Sequence, residues 1–339
     1  MPLTSRKLTV IFLLFLAGSA LVAFGCLFFG AVEKEPARVL SILMGARPAG
    51  SEVDLEIVLN QRLPRILLAF LAGGSLAVAG AVFQALLRNP LATPHTLGVS
   101  SGGALGAATA IFLDLSVFRI GSFSSVQIFA LCGSMAAMGV IYLLARQREN
   151  FSTLKLLLAG VTMALISSAL IMFVRYMAEP HKLVVLDRWL MGGLDVRGYR
   201  SLASVLPLML PALALLLAQV QNLNHLAFGE ELAIGRGINV GQVQVAAFVG
   251  GSVLTASVVS VAGPIGFVGL IVPHAFRLIF GPDHRVLFVT SFFGGGAFLA
   301  VADTFARTIL APTELPVGVL TAMLGGPFFL FLLVRRPNL

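Results

Sequence analysis

One polar segment interrupts the hydrophobic C-terminal two-thirds of the chain, LNHLAFGEELAIGRGINVG over residues 223–241. It carries two adjacent acids, Glu230 and Glu231, with Gly235 and Gly237 just behind them. The glycine positions fit turns between short helices. A compact segment of this kind between two hydrophobic spans indicates a non-covalent contact site for a soluble partner. The alternative interpretation is an ordinary connecting loop.

The residue groupings that usually carry catalysis are absent. No Gly-x4-Gly-Lys-Ser/Thr loop occurs, so the chain does not bind ATP by that route. The glycines of GRGINVG have the wrong spacing for a dinucleotide fingerprint, and no strand precedes them. No Ser-His-acid grouping is present, and no histidine has a second metal ligand at helical spacing; the five are His95, His181, His225, His274 and His284. We therefore predict neither an enzyme nor a metal site.

Charged residues are scarce inside the hydrophobic spans. Asp303 and Arg307 lie one helical turn apart near the end of the ninth span, where they can pair with each other. Arg175 lies at the end of the fifth span. Ionisable residues inside a membrane are functional candidates by default. The sequence offers no free carboxylate inside the spans, so we do not expect a proton-coupled pump.

Composition identifies the elements that carry these residues as membrane helices. The 339 residues are 58% hydrophobic and 11% charged, against roughly 25% charged in soluble domains, and the mean hydropathy is +0.97. The alternation of a barrel is absent, which predicts an all-α membrane protein. A helix needs about 20 apolar residues to cross the bilayer, and we predict ten spans, near 8–30, 64–87, 97–113, 123–145, 154–175, 201–220, 242–262, 265–280, 286–305 and 317–334.

Charge distribution bears on the partners and on the orientation. The net charge is +8, but Lys and Arg occur in no run longer than two, so nucleic-acid binding is not expected. Ten spans place both termini on one side, which we take as the cytoplasm. The number of positive charges on each side does not decide the orientation, because 11 Lys and Arg fall inside and 12 outside. The charges at the termini and in the 146–155 loop favour this orientation.

Several segments together resemble the FecCD-type permeases of ABC importers, which bring iron chelates, haem or cobalamin into bacteria. The resemblance covers nearly the whole chain from Arg62 onward, in the family's order. The segments are RLPRILLAFLAGGSLAVAGAVFQALLRNPLATPHTLGVSSGGALGA (62–107), LKLLLAGV (154–161), RWLMGGL (188–194), GEELAIGRGINVG (229–241), GPIGFVGLIVPHAFRLIFGPDHR (263–285) and ADTFARTILAPTELPVGVLTAMLGGPFFLFLL (302–333).

The resemblance implies a type II ABC importer permease fold, with one transmembrane domain over residues 1–339 and some of its ten helices broken or re-entrant. It implies a multi-pass protein of the bacterial inner membrane, embedded in the lipid bilayer. The partners would be a second permease copy, identical or paralogous, two cytoplasmic ABC ATPase subunits and an extracytoplasmic substrate-binding protein. ATP and Mg²⁺ would be bound by the ATPase, and this chain would bind no cofactor.

The resemblance also implies roles for particular residues. Residues 222–241 would be the cytoplasmic coupling segment, two short helices seated on the ATPase. Its contact residues would be Leu226, Gly229, Glu230, Glu231, Leu232, Gly235 and Gly237.

At the opposite side of the membrane, exposed Arg62, Arg65 and Arg307 would pair with glutamates of the binding protein. Lipid headgroups, or a pair between Arg307 and Asp303, are the alternative partners.

The fifth and tenth spans would line the substrate path, and RWLMGGL would be a short re-entrant helix near the outer mouth. An inner gate is expected where the fifth span begins. Helix packing is the alternative role for all of these residues. The path and gate residues are Ser152, Thr153, Leu157, Val161, Val317 and Thr321.

The sequence leaves the cargo and two rival functions open. A ferric siderophore is the first expectation, and haem and cobalamin are not excluded. A secondary transporter would work without an ATPase and would need an intramembrane carboxylate. A non-transporting membrane scaffold would use the same polar segment to recruit a soluble protein.

Overall fold

The computed structural model describes residues 5–32, 34–45, 52–115, 119–146, 152–196 and 198–335. Nearly all of the regular structure in these residues is α-helical, as predicted, and one two-stranded antiparallel ribbon is formed by β1 (Arg119–Ile120) and β2 (Phe123–Ser124). The helices are α1 (Ser5–Cys26), α2 (Pro36–Leu43), α3 (Glu52–Leu55), α4 (Leu63–Leu86), α5 (Val99–Phe112), α6 (Ser125–Ala145), α7 (Thr153–Met177), α8 (Pro180–Leu190), α9 (Arg200–Ala218), α10 (Val220–Ala227), α11 (Glu230–Gly235), α12 (Val240–Ala262), α13 (Val268–Phe280), α14 (His284–Thr308) and α15 (Val317–Arg335).

The ten predicted spans correspond in order to ten apolar helices. Within the described residues, seven helices are long and apolar enough to cross a membrane, and three shorter ones cover 99–112, 268–280 and 317–331. The second span is longer than the predicted 64–87. A π-helical segment, Glu56–Arg62, joins α3 to α4 without a break, so one continuous helix of 35 residues runs from Glu52 to Leu86.

Helix α4 lies at the centre of the bundle, surrounded by α12, α13 and α14. Glycine allows the closest of these approaches. A methyl group added at Gly80 would overlap the carbonyl oxygen of Gly269 on α13, and one at Gly73 would overlap that of Gly295 on α14. Membrane helices associate through such small residues because lipid supplies no hydrophobic force between them. These glycines therefore let α4 pack backbone to backbone against α13 and α14.

Helix α7 is loosely attached to this core. It packs against α5 and α6, and only a narrow stripe of it is buried, including Leu156 and Ala159. Most of its large apolar side chains are exposed in the single chain. Apolar surface of this extent is satisfied by lipid or by another protein chain.

Short elements lie at the two ends of the bundle. We call the end that contains Arg62, Arg65 and Arg307 the arginine end, and the end that contains residues 222–241 the coupling end. Helix α2, which packs Val39 and Ile42 against Val58 at the arginine end, was not predicted from the sequence. The short helix expected at RWLMGGL lies earlier in the chain, because the helix is α8 and RWL forms only its last turn.

Candidate functional site

The coupling segment folds as the two predicted short helices, α10 and α11. Helix α10 buries Val220, Leu223 and Leu226 on one stripe, and this apolar face holds it against the bundle. Gly229 and Gly237 flank α11 with φ of +124° and +77°, a region that side chains with a Cβ rarely adopt. The segment is thus a defined structure rather than an open loop.

Polar contacts attach this segment to the ends of three long helices. Glu230 Oε1 accepts hydrogen bonds from Arg88 Nη2 at 2.6 Å and Gln244 Nε2 at 3.3 Å. Asn224 Nδ2 donates to Asp283 Oδ1 at 3.0 Å, and Asn224 Oδ1 accepts from the backbone N–H of His284 at 2.7 Å. Arg88 follows α4, Gln244 is on α12 and His284 begins α14. A force on the segment would therefore reach α4, α12 and α14 directly.

Asp283, the N-cap of α14, is the strongly perturbed carboxyl group at this end. Burial would raise the pKa of Asp283, but hydrogen bonds from Arg285, through both its side chain and its backbone N–H, and from Asn224 outweigh burial. The net effect is to lower the pKa of Asp283 to about 2. The charged form of Asp283 therefore stabilises the junction between the coupling segment and α14.

The outward side of the coupling segment is apolar. Phe228, Leu232 and Ile234 are each more than half exposed, and Glu231 is exposed beside them. Large exposed apolar side chains that cluster in a polar segment mark a contact surface for another protein. Phe228 and Ile234 were not predicted as contact residues, although large apolar residues on both sides of Leu232 are visible in the sequence.

The other predicted contact residues of this segment range from buried to exposed. Leu226 is buried, so its side chain holds α10 in place and does not reach the surface. Glu230 is partly covered by its pair with Arg88. Gly235 and Gly237 are exposed and Gly229 is half-buried.

At the arginine end, all three predicted docking residues are already paired within the chain. Arg65 donates through Nε and Nη2 to the two oxygens of Asp303, at 2.9 Å each, and through Nη1 to Glu314 Oε2 at 2.6 Å. Arg307 Nε lies 3.4 Å from Asp303 Oδ2. Arg62 donates to the backbone carbonyls of Leu27 and Val32, in the connection after α1. We call Arg62, Arg65, Arg307, Asp303 and Glu314 the arginine cluster.

Two expectations about these charges were wrong. The three arginines are not exposed, because Arg62 and Arg307 each retain 3% of their accessible surface and the Arg65 side chain is only 11% exposed. The chain also contains buried carboxylates, Asp303 and Asp54. Both acids are held in ion pairs, Asp303 with two arginines and Asp54 with Lys34 and Arg38. The pair between Arg307 and Asp303 that the sequence offered as an alternative is present, and docking to a binding protein stays a prediction.

Two cavities meet at the arginine cluster. The larger, of about 1120 Å³, is lined by the three arginines and by acids that include Glu52 and Glu314. The smaller, of about 440 Å³, is more apolar and is lined by Trp189 and Val317 among others. Arg65 and Glu314 contribute to the walls of both. The ion pair between them therefore lies where the cavities adjoin.

The predicted path residues occupy three different environments. Val161 is exposed on the free side of α7, and Leu157 packs partly against the core. Val317 and Thr321 are buried at the start of α15, although Val317 borders the smaller cavity. The remaining two are at the beginning of α7, where Ser152 caps the helix by accepting a hydrogen bond from the N–H of Lys155 at 3.3 Å. Thr153 is the first residue of α7, and its side chain lies outside the described residues.

The described residues contain no group of three or more His, Cys, Asp or Glu side chains that could hold a metal ion.

The described part of the chain has the features of a multi-pass membrane transport protein. It contains ten apolar helices around a glycine-packed centre, a structured segment at one end and a charged cavity at the other. Comparison with a solved structure specifies the class. A structure presented as an inward-facing metal-chelate-type ABC transporter aligns over 96% of this chain and 99% of its own, with a TM-score of 0.78 and 29% sequence identity. The molecule has the fold of an ABC importer permease.

The FecCD transport family matches residues 12–335, so the chain belongs to that family. Its relatives include the cobalamin import system permease of Halobacterium salinarum, 44% identical over 84% of this chain and 75% of the relative. The hemin transport system permease of Yersinia pestis is 40% identical over 83% and 84%, and the iron(3+)-hydroxamate permease of Bacillus subtilis is 33% identical over 98% of each chain. The predicted family and fold are confirmed, and the chain is a permease subunit of an ABC importer for metal chelates.

Proposed function

We propose that this chain is one permease of a pair that moves a bulky metal chelate into the cytoplasm when ATPase subunits at the coupling end hydrolyse ATP. Both termini lie in the cytoplasm of the bacterial cell, and an extracytoplasmic binding protein delivers the cargo at the arginine end. The observation that carries the proposal is the structure of the coupling segment. One side of the segment is hydrogen-bonded to the ends of α4, α12 and α14, and the other side exposes Phe228, Leu232 and Ile234.

The subunit composition is the first test. We expect gentle detergent extraction from native membranes followed by intact-complex mass spectrometry to find two permeases with two ATPases that contain a phosphate loop. Two identical permease masses would show a homodimer, and two different masses would show a paralogous pair. Recovery of the chain alone, from cells that still accumulate chelate without ATP, would instead support a secondary transporter.

Transport in vesicles tests the activity and the cargo. The purified complex is reconstituted with ATP inside the vesicle and the binding protein outside, and ferric hydroxamate, haem and cobalamin are supplied separately. A ferric siderophore remains the predicted cargo, and relatives named for the other two make them necessary comparisons. Uptake that persists after collapse of ion gradients and stops without ATP supports the importer. A complex that moves none of the three despite ATP hydrolysis would favour the scaffold alternative.

Charge reversal at Glu231 tests the coupling role. Glu231 is exposed, so Glu231→Lys leaves packing unchanged, and the substitution is expected to lower uptake per ATP hydrolysed. Glu179→Lys is the matched control, because Glu179 is also an exposed acid but lies between α7 and α8, outside the coupling segment. Equal uptake per ATP in both variants and the wild type would remove Glu231 from the contact surface.

Cysteine cross-linking tests the substrate path and the pairing of permeases. Val161 is exposed on α7, whereas Ser167 on the same helix is buried. If paired permeases meet along the path that α7 lines, Val161→Cys is expected to cross-link between copies in native membranes. Ser167→Cys is the control and is expected to stay monomeric. Cross-linking at neither position would place the second copy elsewhere. The gate at Ser152 and Thr153 and the lining role of Leu157, Val317 and Thr321 belong to the same proposal.

A further inference from the structure

Only one partner in the arginine cluster is accessible to a second protein. The side chain of Asp303 is 1% exposed and is enclosed by two guanidinium groups, whereas that of Glu314 is 35% exposed. Glu314 also lies on the connection between α14 and α15, at the wall of the 1120 Å³ cavity. A carboxylate that approaches from outside would therefore meet Arg65 at the position that Glu314 occupies.

We propose that Glu314 is an internal stand-in for a carboxylate of the binding protein, and that docking exchanges the pair between Arg65 and Glu314 for an intermolecular pair. This inference rests on the proposed docking at the arginine end. Arg65 keeps its hydrogen bonds from Nε and Nη2 to Asp303 throughout. The guanidinium therefore remains oriented while the contact from Nη1 changes partner.

The connection can release the Glu314 side chain without unfolding. The backbone N–H of the next residue, Leu315, donates to the carbonyl of Ala306 at 3.0 Å, and Gly318 N–H donates to the carbonyl of Gly192 at 3.0 Å. These bonds hold the backbone on the C-terminal side of Glu314. The exchange then needs only a rotation of the Glu314 side chain, which is fast on the scale of protein encounters.

The exchange also keeps Arg65 supplied with counter-charge. The cavity wall as a whole carries as many acids as arginines, so the argument concerns Arg65 itself, which pairs with Asp303 and Glu314. When Glu314 turns away, Arg65 loses one of its two counter-charges, and a docking carboxylate restores it. An internal competitor of this kind weakens docking, because only the fraction of permease with Arg65 free can bind.

Glu314→Gln tests the proposal, with Glu52→Gln as its matched control. Glu52 lines the same cavity and loses the same charge, but it is not a partner of the three arginines. The probe is the binding protein recovered with the permease by cross-linking in native membranes and then expressed separately. Its Kd is measured on the permease–ATPase complex in nanodiscs. We expect Glu314→Gln to tighten docking by roughly 1.5- to 5-fold, the range for an exposed ion pair, and more than Glu52→Gln does.

A double-mutant cycle separates the exchange from a general charge effect. In an Arg65→Gln background, Glu314→Gln should tighten docking no more than Glu52→Gln does, because no pair remains to break. Glu314→Asp, which keeps the charge on a shorter side chain, should give an intermediate Kd. An equal effect of Glu314→Gln and Glu52→Gln in the wild-type background would overturn the exchange while leaving docking intact. If Arg65→Gln alone leaves Kd unchanged, both the docking role and the exchange are wrong.

Discussion

Neutralisation of Asp303 should destabilise the protein more than neutralisation of Glu314, although both acids pair with Arg65. Asp303→Asn keeps the size of the side chain but leaves two cations without their shared counter-charge. The Arg307 side chain is only 4% exposed and would keep a hydroxyl, Thr304 Oγ1 at 3.1 Å, as its side-chain contact. Breaking a buried pair in this way costs about 3–5 kcal/mol of unfolding free energy. Glu314→Gln removes only the partly exposed partner and leaves Arg65 paired with Asp303, so its cost should be near that of a surface pair, about 0–1 kcal/mol.

The assay is equilibrium unfolding in mixed micelles titrated with a denaturing detergent, followed for wild type and both variants. The expected difference between Asp303→Asn and Glu314→Gln is at least about 2 kcal/mol. A second change, Arg307→Gln added to Asp303→Asn, removes the orphaned cation and should recover part of the loss. If the unfolding free energies of the two single variants differ by less than about 1 kcal/mol, burial does not set the strength of these pairs and the reasoning is refuted.

Three further predictions concern the coupling segment, the packing of α4 on α13 and the N-cap of α14. Gly235→Pro should disrupt α11 and lower uptake per ATP hydrolysed. Gly235→Ala should be tolerated, because a methyl group there meets nothing within 4 Å. Equal uptake per ATP in the two variants would contradict the coupling role of residues 222–241. Gly80→Ala should cost about 1–3 kcal/mol of stability by forcing α4 from α13, while Gly139→Ala on α6, with open space around it, should be neutral in the same unfolding assay. Asp283 has a pKa lowered from 3.8 to about 2, so its contribution is complete above pH 3.8 and is lost as pH falls through 2; Asp283→Asn should lower stability at neutral pH and match the wild type below pH 2, and a constant difference at all pH values would exclude the linkage.

Much of the fold was readable from the sequence because hydrocarbon imposes simple rules. A backbone in lipid must bond to itself, so each apolar run of sufficient length predicts a helix. The runs near 97–113 and 265–280 are among the predicted spans, and they form α5 and α13. The extension of α4 back to Glu52 was not predicted, because residues 52–62 contain four charged side chains. These charges keep the segment from being recognised as part of a membrane span by its hydropathy.

The environment of the site residues was less predictable, because it depends on pairs far apart in sequence. Arg65 meets Asp303 across 238 positions, and Arg88 meets Glu230 across 142. Nothing local to Arg65 indicates that a carboxylate from α14 covers it, and for this reason the arginines were expected to be exposed. The coupling segment was easier, since its helices and turns depend on neighbours within a few residues.

Helices α4 and α14 reach both ends of the molecule, and this places them between the two proposed contact sites. Arg65 near the start of α4 and Arg88 just after its end are separated by about 35 Å of helix at 1.5 Å per residue. Arg65 belongs to the arginine cluster, and Arg88 pairs with Glu230 of the coupling segment. Helix α14 repeats the arrangement in the opposite direction, with His284 bonded to Asn224 at one end and Asp303 in the arginine cluster at the other.

The close packing of α4 on α14 predicts that these two helices move together. Gly73 of α4 meets Gly295 of α14 backbone to backbone, so neither helix can slide past the other without a clash. Helix α7, by contrast, is held on one narrow side. Movement imposed at the coupling end would therefore displace the α4–α14 pair as a unit, and the opening of a path would come from the change in its position relative to α7. A cross-link that fixes α4 to α14 should then leave transport intact, and loss of transport on forming that cross-link would exclude a common movement of the two helices.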